Sequence, residues 1–189
     1  DGFYYSAYDA PSKGKEFSNV NEHHKIYYHK LGEPQQNDRL VYENKAYPKR
    51  FYTAQVSEDE RVLFIYESGE GRGNALFMQD LTQKSAPVVQ LASDFDYQYT
   101  PIEVIGNRIY FFTNYQAAKN KIMAAELQSP ELANWKEVVP EKEQVLSDVR
   151  VIGGKLFLTY DKDASNHAYV YDLQGKELQE IELPSLGSV

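Results

Sequence analysis

Cysteine is absent from all 189 residues, so a disulfide framework and thiolate chemistry are both closed to this chain. No apolar run approaches the roughly 18 residues that a membrane-spanning helix needs. The opening Asp1-Gly2-Phe3 has none of the charged-then-apolar character of a signal peptide. A basic surplus is missing too. The net charge is −8 with acids and bases interspersed, which argues against nucleic acid and against an anionic membrane surface as partners. The expectation is a soluble chain, with cytoplasm and periplasm both open.

What the chain has in quantity is aromatic side chains, 14% of residues and 16 of them tyrosine, suited to packed sheet faces where the ring is buried and the hydroxyl reaches a rim. They fall in short segments of four to eight residues separated by Gly, Asn or Asp, the pattern of strands joined by tight turns. The clearest set is 145–152, 155–160, 167–173 and 177–183, with turns at Gly153-Gly154, at the polar run 161–166 and at Gln174-Gly175. Such a meander has two apolar faces and cannot bury both alone.

It has copies. The second segment starts at Arg61, Arg108 and Lys155, and the third ends at Leu81, Leu127 and Leu173, spacings of 47 and 46 residues. An earlier third segment, 25–31, ends 50 residues before Leu81. Four strands repeating in the mid-forties is the pattern of a β-propeller blade. The apolar period of two, or continuous runs of four to six, excludes helical repeats. The chain therefore reads as all-β: an incomplete β-propeller of about four blades, each a four-stranded antiparallel meander.

The blades are expected at about 1–46, 47–93, 94–140 and 141–184, with 185–189 leading into a further one. In the first, 3–8, 25–31 and 39–43 are strands, joined by a polar connector over 12–24 and a turn over 32–38. Its inner strand is missing, so both chain ends read as cuts. The second blade has strands at 51–57, 61–67, 74–81 and 88–91, the third at 100–105, 108–114, 121–127 and 135–139. One helical turn is expected at Ser129-Pro130-Glu131, which supplies an N-cap residue, a first-position proline and an acid at the dipole's positive end.

Few residues suggest chemistry. Gly69-Glu70-Gly71-Arg72-Gly73 could cradle a phosphate only if a helix followed, and a strand follows instead, so a hairpin loop is expected. Asp161-x-Asp163-x-Ser165 opens like a calcium loop but lacks its glycine and its closing glutamate, leaving a solvated hairpin tip. His23, His24 and His29 have no evident converging acid, so surface or satisfied positions are expected and no metal or other cofactor. Asp94-Phe95-Asp96 reads as a capped turn.

Several runs taken together resemble the propeller of prolyl oligopeptidases: Lys25-Ile-Tyr-Tyr-His-Lys-Leu-Gly32, Asp38-Arg39-Leu40-Val41-Tyr42-Glu43, and Pro48-Lys49 before an inner strand. Trp135-Lys136 with Val138-Val139-Pro140-Glu141, Val170-Tyr171-Asp172-Leu173, and Leu183-Pro184 with Gly187-Ser188-Val189 add to it. Two positions depart from the family's pattern: Glu33 where threonine is usual, and Arg50 where an aromatic is usual. The resemblance implies a propeller acting as lid and size filter over an α/β-hydrolase domain of the same chain, in a serine peptidase that cuts short peptides after proline. It also implies that Phe51 and the 69–73 loop, with Glu70 or Gly71 the contact, face the peptide.

A nucleophile elbow, G-x-S-x-G, does not occur in these residues, so no catalytic residue is expected here and this chain alone should not hydrolyse peptides. Two other readings stay open, the propeller of an oligopeptidase B-like enzyme that cuts after basic residues and a free-standing propeller that binds proteins. The bare faces expected on the terminal blades also imply self-association of the isolated chain.

Overall fold

Strands form where β-branched and aromatic residues run between turn formers, and fifteen are seen among the described residues. The structure is a computed structural model that describes residues 1–10, 13, 14, 20–163 and 165–182. It divides into two compact units, Asp1–Asp96 and Tyr97–Val189. The first unit holds a three-stranded sheet, β1 (Gly2–Ala7), β2 (Lys25–Lys30) and β3 (Arg39–Glu43). It also holds a four-stranded one, β4 (Phe51–Val56), β5 (Val62–Ser68), β6 (Ala75–Asp80) and β7 (Val88–Ala92). The second unit holds β8 (Tyr99–Ile105), β9 (Arg108–Thr113), β10 (Lys121–Glu126) and β11 (Lys136–Val139) in one sheet. Its other sheet is β12 (Val145–Ile152), β13 (Lys155–Lys162), β14 (Ser165–Tyr171) and β15 (Glu177–Ile181). All four sheets are antiparallel meanders in chain order, consistent with propeller blades.

Each unit buries an apolar layer between its two sheets. In the first, Ile26 of β2 meets Tyr52, Leu63, Ile65, Ala75 and Phe77, with Tyr4 and Tyr42 packed against them. In the second, Tyr110, Ile122 and Val139 meet Leu146, Leu156, Leu158, Tyr160 and Tyr171. Several tyrosines meet partners at the margins of these layers. Tyr110 Oη donates to the Leu173 carbonyl at 3.1 Å, and Lys142 Nζ lies 5.1–5.4 Å from the ring centres of Tyr160, Tyr169 and Tyr171.

Three details differ from the sequence reading. The hairpin tip expected over 161–166 is shorter, because its polar residues continue the ladder: Asp161 pairs with Asn166 and Lys162 with Ser165, and Asn166 Nδ2 donates to Asp161 Oδ1 at 2.7 Å. The expected helical turn is a 3-10 turn at Leu132–Asn134, its N-cap two residues later than the expected Ser129. Glu131 takes its N-cap position without a side-chain cap, while the Pro130 carbonyl accepts from Trp135 Nε1 at 2.8 Å. A second 3-10 turn, Gln35–Asn37, lies inside the 32–38 turn. Parts of the 12–24 connector, and all of 183–189 with its Leu183-Pro184 and Gly187-Ser188-Val189, lie outside the described residues. Among the described residues no helix is long and apolar enough to cross a membrane.

Candidate functional site

The alternation of β4 sends Tyr52 into the core, 1% exposed, and leaves its neighbour Phe51 53% exposed. Across the β4–β5 ladder Phe51 stands opposite Ser68, and Tyr52 opposite Glu67. The 69–73 loop therefore leaves β5 directly beside the Phe51 ring. Phe51, Gly69, Glu70, Tyr47, Arg50 and Phe95 line one pocket of about 590 Å³. Phe51 and Glu70, the two residues singled out by resemblance, are thus brought together. Gly71, the other loop residue considered, packs against Phe95, where a Cβ would fall 2.6 Å from the Phe95 carbonyl oxygen.

That close approach holds the loop, since the Gly73 N–H donates to the same carbonyl at 2.8 Å. The loop runs on into β6, a strand, so no helix terminus faces an anion here. Asp94 Oδ1 accepts from the Asp96 N–H at 3.1 Å, the capped turn expected of Asp94-Phe95-Asp96. Sequence reasoning missed that this turn carries a ring into the pocket.

Arg50 closes the other side. Its guanidinium carbon lies 3.5 Å from the centre of the Tyr47 ring and 4.6 Å from that of Phe95. Its terminal nitrogen donates to Glu67 Oε1 at 2.5 Å, and the Glu67 side chain is 1% exposed. A buried carboxylate needs such a partner. Burial first, and the Glu67 charge second, push the Tyr42 phenol up to about 12, and the same two causes raise that of Tyr52. Both phenols therefore stay neutral beside the ion pair.

His24 joins this corner from the connector before β2. The Tyr52 N–H donates to its Nδ1 at 2.9 Å, and its ring centre is 6.0 Å from that of Phe51. An accepting Nδ1 belongs to a neutral imidazole, and burial lowers the His24 pKa from its usual 6.5. The unfolded chain takes up this proton near 6.5 and the fold takes it up only at lower pH. Stability is therefore full above that value and falls as pH drops through the window below it. Urea midpoints measured at about pH 7.5 and pH 5.5 should drop on the acid side for the wild type. The drop should shrink in His24→Gln, and an unchanged one would remove His24 as its source.

His29 has a partner as well. Against the sequence reading, an acid does converge on His29: Asp38 Oδ1 lies 2.7 Å from its Nδ1, and Tyr5 Oη donates to Asp38 Oδ2 at 2.7 Å. Burial works against the Asp38 charge, but the hydrogen bonds from Tyr5 and His29 outweigh it and hold the carboxyl below its usual range. Among the described residues no group of three or more His, Asp or Glu could hold a metal ion.

This geometry can be set beside known proteins. The family described as prolyl oligopeptidase, N-terminal β-propeller domain, matches residues 1–189. The chain belongs to that family. Prolyl endopeptidase of Elizabethkingia meningoseptica is 33% identical over 188 residues, which is 100% of this chain and 26% of that protein. Prolyl endopeptidase of Dictyostelium discoideum is 33% identical over 211 residues, 99% of this chain and 28% of its own length. A structure from work on two prolyl endopeptidases and their inter-domain dynamics superposes with a TM-score of 0.89 at 30% identity, covering 100% of this chain and 27% of that one. The chain thus spans about a quarter of the length of these prolyl oligopeptidase relatives, and corresponds to their non-catalytic propeller.

Proposed function

We propose that this chain forms part of the lid and size filter of a serine peptidase that cleaves short peptides after proline, working against an α/β-hydrolase domain of the same full-length protein. Phe51 supplies an apolar contact to the peptide and Glu70 stands at the mouth of the same pocket. The observation that carries the reading is the half-exposed Phe51 ring in a 590 Å³ pocket, in a chain whose relatives are prolyl endopeptidases. What sets Phe51 apart from other exposed apolar side chains is its place in a pocket walled by Tyr47, Arg50 and Phe95, a concave surface that a bound peptide can fill. A peptide extended on the N-terminal side of its proline is long enough to do so.

The test is Phe51→Ala in the full-length peptidase. Extended peptides should lose about 1–3 kcal/mol of transition-state binding, read from kcat/KM, and the shortest reporters far less. Equal losses on long and short peptides would point to general destabilisation and away from a subsite.

A further inference from the structure

The pocket is held by a side chain whose charge is already committed. Arg50 lies between two rings that come from distant segments, Tyr47 before β4 and Phe95 after β7, and it alone among the lining residues pairs with a buried carboxylate. We propose that Arg50, through its ion pair with Glu67, is a positioning residue that fixes Phe51 and the 69–73 loop for extended peptides. The proposal rests on the reading of Phe51 as a peptide contact.

The geometry gives three reasons. A guanidinium is planar, so it can stack on rings through its faces while donating to a carboxylate in its plane; an ammonium cannot do both. Arg50 does both at once. Next, Glu67 is the penultimate residue of β5, and the loop departs two residues later. Without Arg50 the buried Glu67 carboxylate must gain a proton or admit water, and either moves the strand end from which the loop springs. Last, the loop rests on Arg50 itself. The position a Gly69 Cβ would take is 3.5 Å from both Arg50 Cγ and Nε, while Gly71 and Gly73 rest on Phe95, the other face of the stack. Because Glu67 takes up the Arg50 charge, the effect should follow peptide length and be indifferent to peptide charge.

The experiment uses the full-length peptidase and two proline peptides, one short and one extended, with Phe51→Ala as reference. Arg50→Met should raise KM for the extended peptide about tenfold and leave the kcat of the short one within about twofold. Adding Glu67→Gln removes the stranded charge and should recover the extended peptide to within about threefold of wild type. Arg50→Lys should fall between. Should Arg50→Met fail to fold, Arg50→Lys and Glu67→Gln alone carry the comparison, each raising KM for the extended peptide only.

Equal losses on both peptides, or no recovery in the double variant, would overturn the proposal. So would a loss confined to peptides with an acidic side chain, which would make Arg50 a direct contact. If Phe51→Ala separates the two peptides and the Arg50 variants do not, this inference fails and the functional reading stands. If Phe51→Ala does not separate them, the functional reading itself has failed.

Discussion

Replacing Phe111 with alanine should cost the second unit about 3–5 kcal/mol, the range for removing a fully buried aromatic ring. Phe111 sits in the middle of β9 at 0% exposure, opposite Pro101 on β8 and Met123 on β10. Its ring lies parallel to that of Trp135, with centres 3.7 Å apart and planes at 12°. Tyr99 closes the group edge-on to the indole, 5.7 Å away at 88°. The indole cannot shift to fill the gap, because its Nε1 is tied to the Pro130 carbonyl at 2.8 Å. A cavity should therefore persist, and the loss should sit at the upper end of that range. Trp135 is the single tryptophan of the chain, so its fluorescence reports on this sheet alone. In urea the indole transition of Phe111→Ala should move to clearly lower concentration with an unchanged slope. A loss below about 1 kcal/mol would mean that the neighbours collapse into the space.

The strands were legible because their causes are local. β3 and β12 begin and end where composition and turn residues put them, and most others lie within a residue or two. The repeat was legible for the same reason. The Leu81 N–H closes its hairpin on the Arg61 carbonyl at 2.8 Å, and Leu127 closes on Asn107 at 2.8 Å, the same bond one repeat on. What could not be read is the bulge that recurs where the last strand of each sheet pairs. The register slips between Ile26 and Tyr27, Leu76 and Phe77, Ile122 and Met123, and Val170 and Tyr171. No glycine marks any of them, and such a bulge needs none, so composition carries no signal of the shift.

The pocket was half legible. Phe51 and Glu70 came from resemblance, but the residues that hold them did not. Glu67 looks in sequence like the polar end of a strand, and Phe95 like the middle of a turn. Their meeting with Arg50 spans 17 residues of chain for Glu67 and 45 for Phe95. Nothing periodic connects them. The partner of His29 was missed in the same way, since Asp38 reaches it only once the β2–β3 turn has closed.

Glycine gives the second large effect, and two turns of one sheet separate its causes. Gly153 and Gly175 both have positive φ, 56° and 85°. Around Gly153 nothing lies within 4 Å of where a Cβ would stand, so Gly153→Ala should cost only the left-handed penalty of about 1–2 kcal/mol. At Gly175 the same atom would fall 1.8 Å from the Val138 carbonyl oxygen on β11. The turn has no slack to give. Asp172 Oδ1 accepts from the N–H groups of Gln174 and Lys176 at 3.0 and 2.8 Å, and the Asp172 N–H donates to the Lys176 carbonyl at 2.9 Å. Gly175→Ala should therefore add an overpacking cost of about 1–3 kcal/mol to the penalty paid at Gly153. Asparagine separates the two causes, because it tolerates the left-handed region yet still carries a Cβ. Gly153→Asn should be close to neutral, while Gly175→Asn should remain destabilised by the clash with β11. The comparison is made by urea unfolding followed at Trp135, three residues from the point of contact. Equal midpoints for the two asparagine variants would show that β11 yields to the added atom, and the close packing of this turn on the neighbouring sheet would then contribute nothing to stability.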